Sequence, residues 1–217
     1  EHLYSPAEHD QGSWVAMTFD NKGRMITADQ YGAIYRLVLP VQGDTTRPKV
    51  EKLIIGSEAD RNADTTTLKI GMGFAQGLLY AFNSLYVMVN HNSDKNFDKN
   101  TGLYRLQDTD GDDQFDKVTL LKSFSGEPGE HGPHSIILSP DKKSLYISAG
   151  NHVDVPKFDV YRLPPVWMED NLFPQIKDPR GHANNREAPG GWIAHIDSLG
   201  QYWELVSAGY RNEFDIT

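Results

Sequence analysis

The sequence contains no cysteine, which removes disulfides, thiolate metal sites and cysteine nucleophiles together. It has no apolar run near the ~18 residues that a membrane-crossing helix needs, and its longest, such as GLLYAF and SLYVMV, are strand-sized. Lys and Arg number 21 against 30 Asp and Glu, a formal net charge of −9. No basic run is there to track a phosphate backbone, so nucleic acid is not an expected partner. Gly-rich phosphate loops, HExxH and GxSxG are missing too, which sets aside the common nucleotide and hydrolase motifs. Neither an initiator Met nor an apolar leader precedes Glu1; the chain reads as a processed product or as a segment of a longer protein.

What is present is globular. Hydrophobic residues make up 38%, charged residues 24% and aromatic residues 11% of the 217 positions, enough apolar side chain to build a core. Long helical periodicity is absent, and short apolar runs separated by Gly, Asn and Asp recur instead. That is how an antiparallel all-β chain reads.

One unit repeats. WVAMTF (14–19), the turn DNKG and RMITA form a predicted hairpin, and the same unit returns at LLYAFNSLYVMV (78–89) and SIILSPDKKSLYISA (135–149). The turn residues Asp20, Asn83 and Asp141 lie 63 and 58 residues apart, a period that suits one four-stranded propeller blade with loop insertions. Further strands are expected at AIYRLVL, GLYRLQD, VTLLKSF, WIAHI and YWELVSA, with YRNEFDIT beginning the next. Residues 151–191 interrupt this rhythm with many prolines and glycines, as functional or disordered loops do. The expected fold is an incomplete all-β propeller of three to four blades, the whole of 1–217 being part of a larger, about six-bladed ring, because an open arc leaves sheet edges uncovered. A small β-sandwich is the rival.

Two sets of residues point to chemistry. His131 and His134 sit at the mouth of an inner strand after a Gly-rich turn, where an imidazole can serve as a base near neutral pH. In DTDGDDQFD, Asp108, Asp110, Asp112, Gln114 and Asp116 alternate around Gly111; oxygen ligands at this spacing wrap Ca²⁺ in the first half of an EF-hand loop. The bidentate Glu expected at the twelfth position is Thr119. NSDKNFDKN (92–100) is a weaker candidate because lysines dilute its charge. His182 falls in the long loop, where it is expected near the pocket mouth, and His195 falls in an apolar strand, where a packed, hydrogen-bonded histidine is expected.

The segment GEPGEHGPHSIILSPDKKSLYISAGNH (126–152) resembles the soluble quinoprotein glucose dehydrogenases and sorbosone dehydrogenases, in which a catalytic histidine lies nine residues before the Pro-Asp of a hairpin turn. Here that position is His131. SAGYRNEFDIT resembles the same family's Gly-x-Arg-Asn element, which implies quinone contacts for Arg211 and Asn212. AQGLLYAF sets Gln76 where the family has a pocket glutamine, and Asn151 stands where the family has an aspartate. The phrases GSWVAMTFDNKGRMITADQYG, GLYRLQDTDGDDQFDKV, EHGPHSIILSPD, APGGWI and ELVSAGYRNEFDI resemble the large membrane-bound dehydrogenases of planctomycetes and related bacteria from one end of the chain to the other. The resemblance implies an oxidoreductase that oxidises a sugar or polyol at the mouth of a propeller. His131 would be the base, Arg211 and Asn212 would hold pyrroloquinoline quinone (PQQ), and Gln76, His134 and Asn151 would line the substrate pocket. It further implies a structural Ca²⁺, a cytochrome c type acceptor and a periplasmic or secreted location. A non-enzymatic propeller that binds a glycan or a protein partner, or a Ca²⁺-dependent lactonase-like hydrolase, stays open as an alternative.

Overall fold

The computed structural model describes residues 2–44, 46–56, 72–94, 97–165, 183–186 and 189–217. His182 and part of 92–100 lie outside them. The described residues form three antiparallel-based sheets and one 3-10 turn at Pro6–His9.

The first sheet runs β1 (Trp14–Phe19), β2 (Met25–Asp29), β3 (Ile34–Val38) and β4 (Lys49–Lys52), neighbours in that order. The second repeats it with β5 (Ala75–Ala81), β6 (Ser84–Val89), β7 (Gly102–Gln107) and β8 (Lys117–Ser123). The third pairs β9 (Pro133–Leu138), β10 (Ser144–Ala149), β12 (Gly191–Asp197) and β13 (Trp203–Tyr210), with the short β11 (Val160–Tyr161) added parallel to β13. All three predicted hairpins form. The tightest turn, Phe82–Asn83, holds both residues at positive φ, 52° and 48°, the geometry that matches the twist of two joined strands.

Strand β6 shows why the sheets stack. All of its residues are buried; Leu85, Val87 and Val89 enter the core shared with the first sheet, while Tyr86 and Met88 enter the core shared with the third. A strand sends successive side chains to opposite faces, so a continuously apolar strand needs cover on both. The middle sheet is therefore sandwiched, and the innermost strands β1, β5 and β9 pack side by side around a common channel. This is a partial, open β-propeller, as the repeat period predicts.

The start of each inner strand carries one irregularity. Register breaks occur between Trp14 and Ala16, between Ala75 and Gly77, and opposite Ile147 and Ala149, where β9 runs from Pro133 to Ile136. In each case the inner strand has one more residue than its partner, a β-bulge, which bends a strand and re-aims its side chains. The bulged residues are Val15, Gln76 and the His134–Ser135 step.

Two expectations need adjustment. Residues 211–217 form no strand. They lie against the third sheet through side chains: Ser135 Oγ donates to Asp215 Oδ1 at 2.9 Å and Ser148 Oγ to the Glu213 carbonyl at 3.3 Å. Strand β4 was not expected at all, because KVEK carries no apolar alternation and is mostly exposed.

Candidate functional site at the channel mouth

The open channel along β1, β5 and β9 has a volume of about 350 Å³, and Gln76, His134, Ser135, Phe214 and Asp215 are among its lining residues. The inner strands approach closely here. A Cβ on Gly77 would sit 1.7 Å from the His134 carbonyl oxygen, so only glycine lets β5 lie against β9.

His131 is 2% exposed. Its Nδ1 is 2.6 Å from Asn151 Oδ1, and an amide oxygen there selects the tautomer in which Nδ1–H donates and Nε2 carries the lone pair. The His152 ring packs 4.8 Å away, centroid to centroid. The backbone fixes the pair from both sides, since Gly150 N–H donates to the Gly132 carbonyl and His152 N–H to that of His131. Asn151 thus orients the imidazole as an aspartate would, without its charge.

His134, 4% exposed, places Nε2 at 3.1 Å from both the Glu130 carbonyl and Asn212 Oδ1, and Phe214 lies against its ring at 4.7 Å. Nδ1 is buried without a hydrogen-bond partner. Burial pushes the imidazole below its ordinary pKa, so this ring is neutral near pH 7. Gln76 donates through Nε2 to the Gln30 carbonyl at 3.0 Å, tying the second inner strand to the first sheet. Arg211 is exposed, and its carbonyl accepts the Asn151 N–H at 3.0 Å. Of the predicted residues, Gln76 and His134 line the channel, Asn212 meets His134 from its side, and His131 lies behind them on Asn151, whose N–H is held by the Arg211 carbonyl.

One titratable group was not foreseen. Both carboxylate oxygens of Glu213 are buried without a hydrogen-bond partner, over the bare Cα of Gly191. Burial raises this carboxyl to about pKa 7. The sequence signal was slight, a glutamate following Arg-Asn, and nothing local says that it turns inward.

The acidic loop behaves differently from a full EF-hand half. Oxygens of Asp108, Asp110 and Asp116 lie within 4.8 Å of one another. Asp112 and Gln114 do not join them: Asp112 Oδ1 accepts the Gln114 N–H at 2.9 Å, and Gln114 Oε1 accepts the Ile54 N–H at 2.8 Å. Asp113, between them, is gripped by Arg24 and by Lys22 at 3.0 Å, which holds its carboxyl well below the usual range. His195, as expected, is packed and hydrogen-bonded through both ring nitrogens.

No family model matches the sequence, and no curated protein does. Among solved structures, two similar folds are informative. The PQQ-bound form of an aldose sugar dehydrogenase (Adh) from Streptomyces coelicolor matches with a TM-score of 0.51 and 12% identity, over 93% of this chain and 52% of that one. An iodide structure of a Trichoderma reesei carbohydrate-active enzyme of family AA12 matches with a TM-score of 0.50 and 15% identity, over 93% and 41%. This chain shares their β-propeller fold. It spans about half or less of each of those chains.

Proposed function

We propose that the channel mouth is the alcohol-oxidising site of a quinoprotein-like oxidoreductase acting on a sugar or polyol. The observation that carries this reading is the His131–Asn151 pair: a buried imidazole oriented through Nδ1 by a 2.6 Å contact at the head of an inner strand. With the lone pair on Nε2, His131 takes the proton of a substrate hydroxyl. His134, neutral, and Gln76 position the sugar. Arg211 and Asn212 would hold the quinone, and a fixed guanidinium suits the negative charge that grows on a quinone oxygen. The buried, unpartnered Nδ1 of His134 is a polar atom suited to the same cradle. Pyrroloquinoline quinone, when bound, supplies the hydride acceptor. The likeness in fold to a PQQ-bound sugar dehydrogenase supports the choice of group.

Ca²⁺ at Asp108, Asp110 and Asp116 is a structural ion in this reading, on the hard-oxygen chemistry of its ligands. Electrons pass on to a cytochrome-type acceptor, and the protein works in the periplasm or outside the cell.

Titration calorimetry of pyrroloquinoline quinone with Ca²⁺ against the full chain tests the reading. Binding weakened by Arg211→Ala and spared by His131→Ala, with dye reduction by aldoses lost in both, is the expected pattern. No binding by any form refutes quinone use and returns the mouth to glycan or partner recognition.

A further inference from the structure

A second line of polar residues lies on the face of the third sheet away from the second core. The strand register sets Tyr146 opposite His195 and His195 opposite Glu204, with Ser144 two residues before Tyr146 on β10. His195 Nδ1 lies 2.9 Å from Glu204 Oε2, and His195 Nε2 lies 2.7 Å from Ser144 Oγ. Arg162 grips both oxygens of the same carboxylate, at 2.7 and 3.0 Å, and holds Glu204 below the usual carboxylate range.

The tautomer follows. An ionised carboxylate at Nδ1 takes the Nδ1–H, which leaves Nε2 to accept the Ser144 hydroxyl proton. Hydroxyl to Nε2, and Nδ1–H to a carboxylate, is the polarity that activates a serine nucleophile, on whatever fold it occurs. The Tyr146 ring stacks on the imidazole at 4.8 Å and Tyr202 meets it edge-on at 6.1 Å, so the plane of the base is fixed. Ser144 is half-buried, and Leu199 and Tyr202 are 49% and 38% exposed, giving apolar surface on the same sheet end.

We propose that Ser144, His195 and Glu204 form a nucleophilic centre, separate from the channel mouth, that takes the acyl group of a small activated carboxylic ester. The Ser144 Oγ–carbon bond forms and the ester carbon–oxygen bond breaks. The hydroxyl proton passes to His195 Nε2 and from there to the departing alkoxide, and water then releases the acid by the same steps in reverse. Glu204 stays ionised and orients the base. With no α-helix N-terminus among the described residues to stabilise an oxyanion, slow acylation rather than rapid turnover is the expected behaviour.

The test uses the full chain with a fluorophosphonate probe, in which the serine oxygen bonds phosphorus, the P–F bond breaks and fluoride leaves. Intact mass should gain one phosphonyl group, mapped by peptide sequencing to Ser144. Ser144→Ala should lose the label, His195→Gln should slow it about a hundredfold, and Ser93→Ala should keep it. No label, a label on any other residue, or an unchanged rate in His195→Gln overturns the proposal. If Ser144→Ala does not fold, the mapping on the parent chain decides alone.

Discussion

His131, in the turn that leads into β9, and His195, on β12, are both held through Nδ1, the first by a carboxamide and the second by a carboxylate that an arginine keeps ionised. The difference separates two tasks that an aspartate usually performs together. Asn151 aims a ring and selects its tautomer, whereas Glu204 also offers a negative charge to an imidazolium. A histidine of the first kind accepts a proton with no counter-charge at hand; one of the second kind is supported once it has done so.

The largest expected effect that breaks the comparison is on catalysis. His131→Ala should lower sugar-dependent dye reduction by about 10²–10⁴-fold, the usual contribution of a positioned base, whereas His195→Ala should leave that rate within twofold of the parent. Next, Glu204→Ala leaves His195 Nδ1 and Arg162 without their shared acceptor and should cost about 1–3 kcal/mol in urea unfolding. Glu204→Gln should recover part of it.

The two carboxyls with opposite shifts give a third prediction. Glu213 is raised in the folded state, so its contribution is favourable below the ordinary carboxylate pKa and is lost as pH rises through about 7. Glu204 is lowered, so its contribution is present above the ordinary value and fades as pH falls. Glu213→Gln should therefore be more stable than the parent by about 1–2 kcal/mol at pH 8, less than full linkage because the amide takes the place of the carboxyl at a spot that offers it no hydrogen-bond partner. Thermal unfolding at pH 8 and pH 4 checks it, and the gain should vanish at pH 4. The smallest effect sharpens the comparison: Asn151→Asp keeps an oxygen acceptor at His131 Nδ1 and should hold sugar-dependent dye reduction within about tenfold of the parent, whereas Asn151→Leu, which removes the acceptor, should lower it further.

The hairpins were legible because alternation and turn chemistry are local. WVAMTF, LLYAF and SIIL alternate or run apolar, and the intervening turns carry Asn, Asp or Gly, so spacing alone set the blade period. Strand β4 was illegible for the converse reason: Lys49 to Lys52 pairs with β3 through backbone and leaves its side chains mostly exposed, and the one strong side-chain tie, Glu51 to Arg36, joins residues 15 apart in the chain. The bulges at Val15, Gln76 and His134–Ser135 were hidden too, since one extra residue on one strand has meaning only against its partner. For the site, motif resemblance singled out His131, His134, Arg211 and Asn212, of which His134 and Asn212 touch each other and His131 and Arg211 each touch Asn151. It could not report that Asn151 faces Nδ1, that Glu213 turns inward, or that Gln114 spends its side-chain oxygen on Ile54. Those depend on contacts between residues far apart in the chain.

The acidic loop that follows β7 is also a fastening. Asp113 is held by Arg24 of the first sheet, its carbonyl accepts Arg36 Nη1 at 2.7 Å, and Phe115 pairs with Ile55 through backbone. Amide hydrogens of β2, β3, β6 and β7 should then exchange with solvent as one cooperative unit. Any cation that settles between Asp108, Asp110 and Asp116 would slow the exchange of two sheets, although it touches only one.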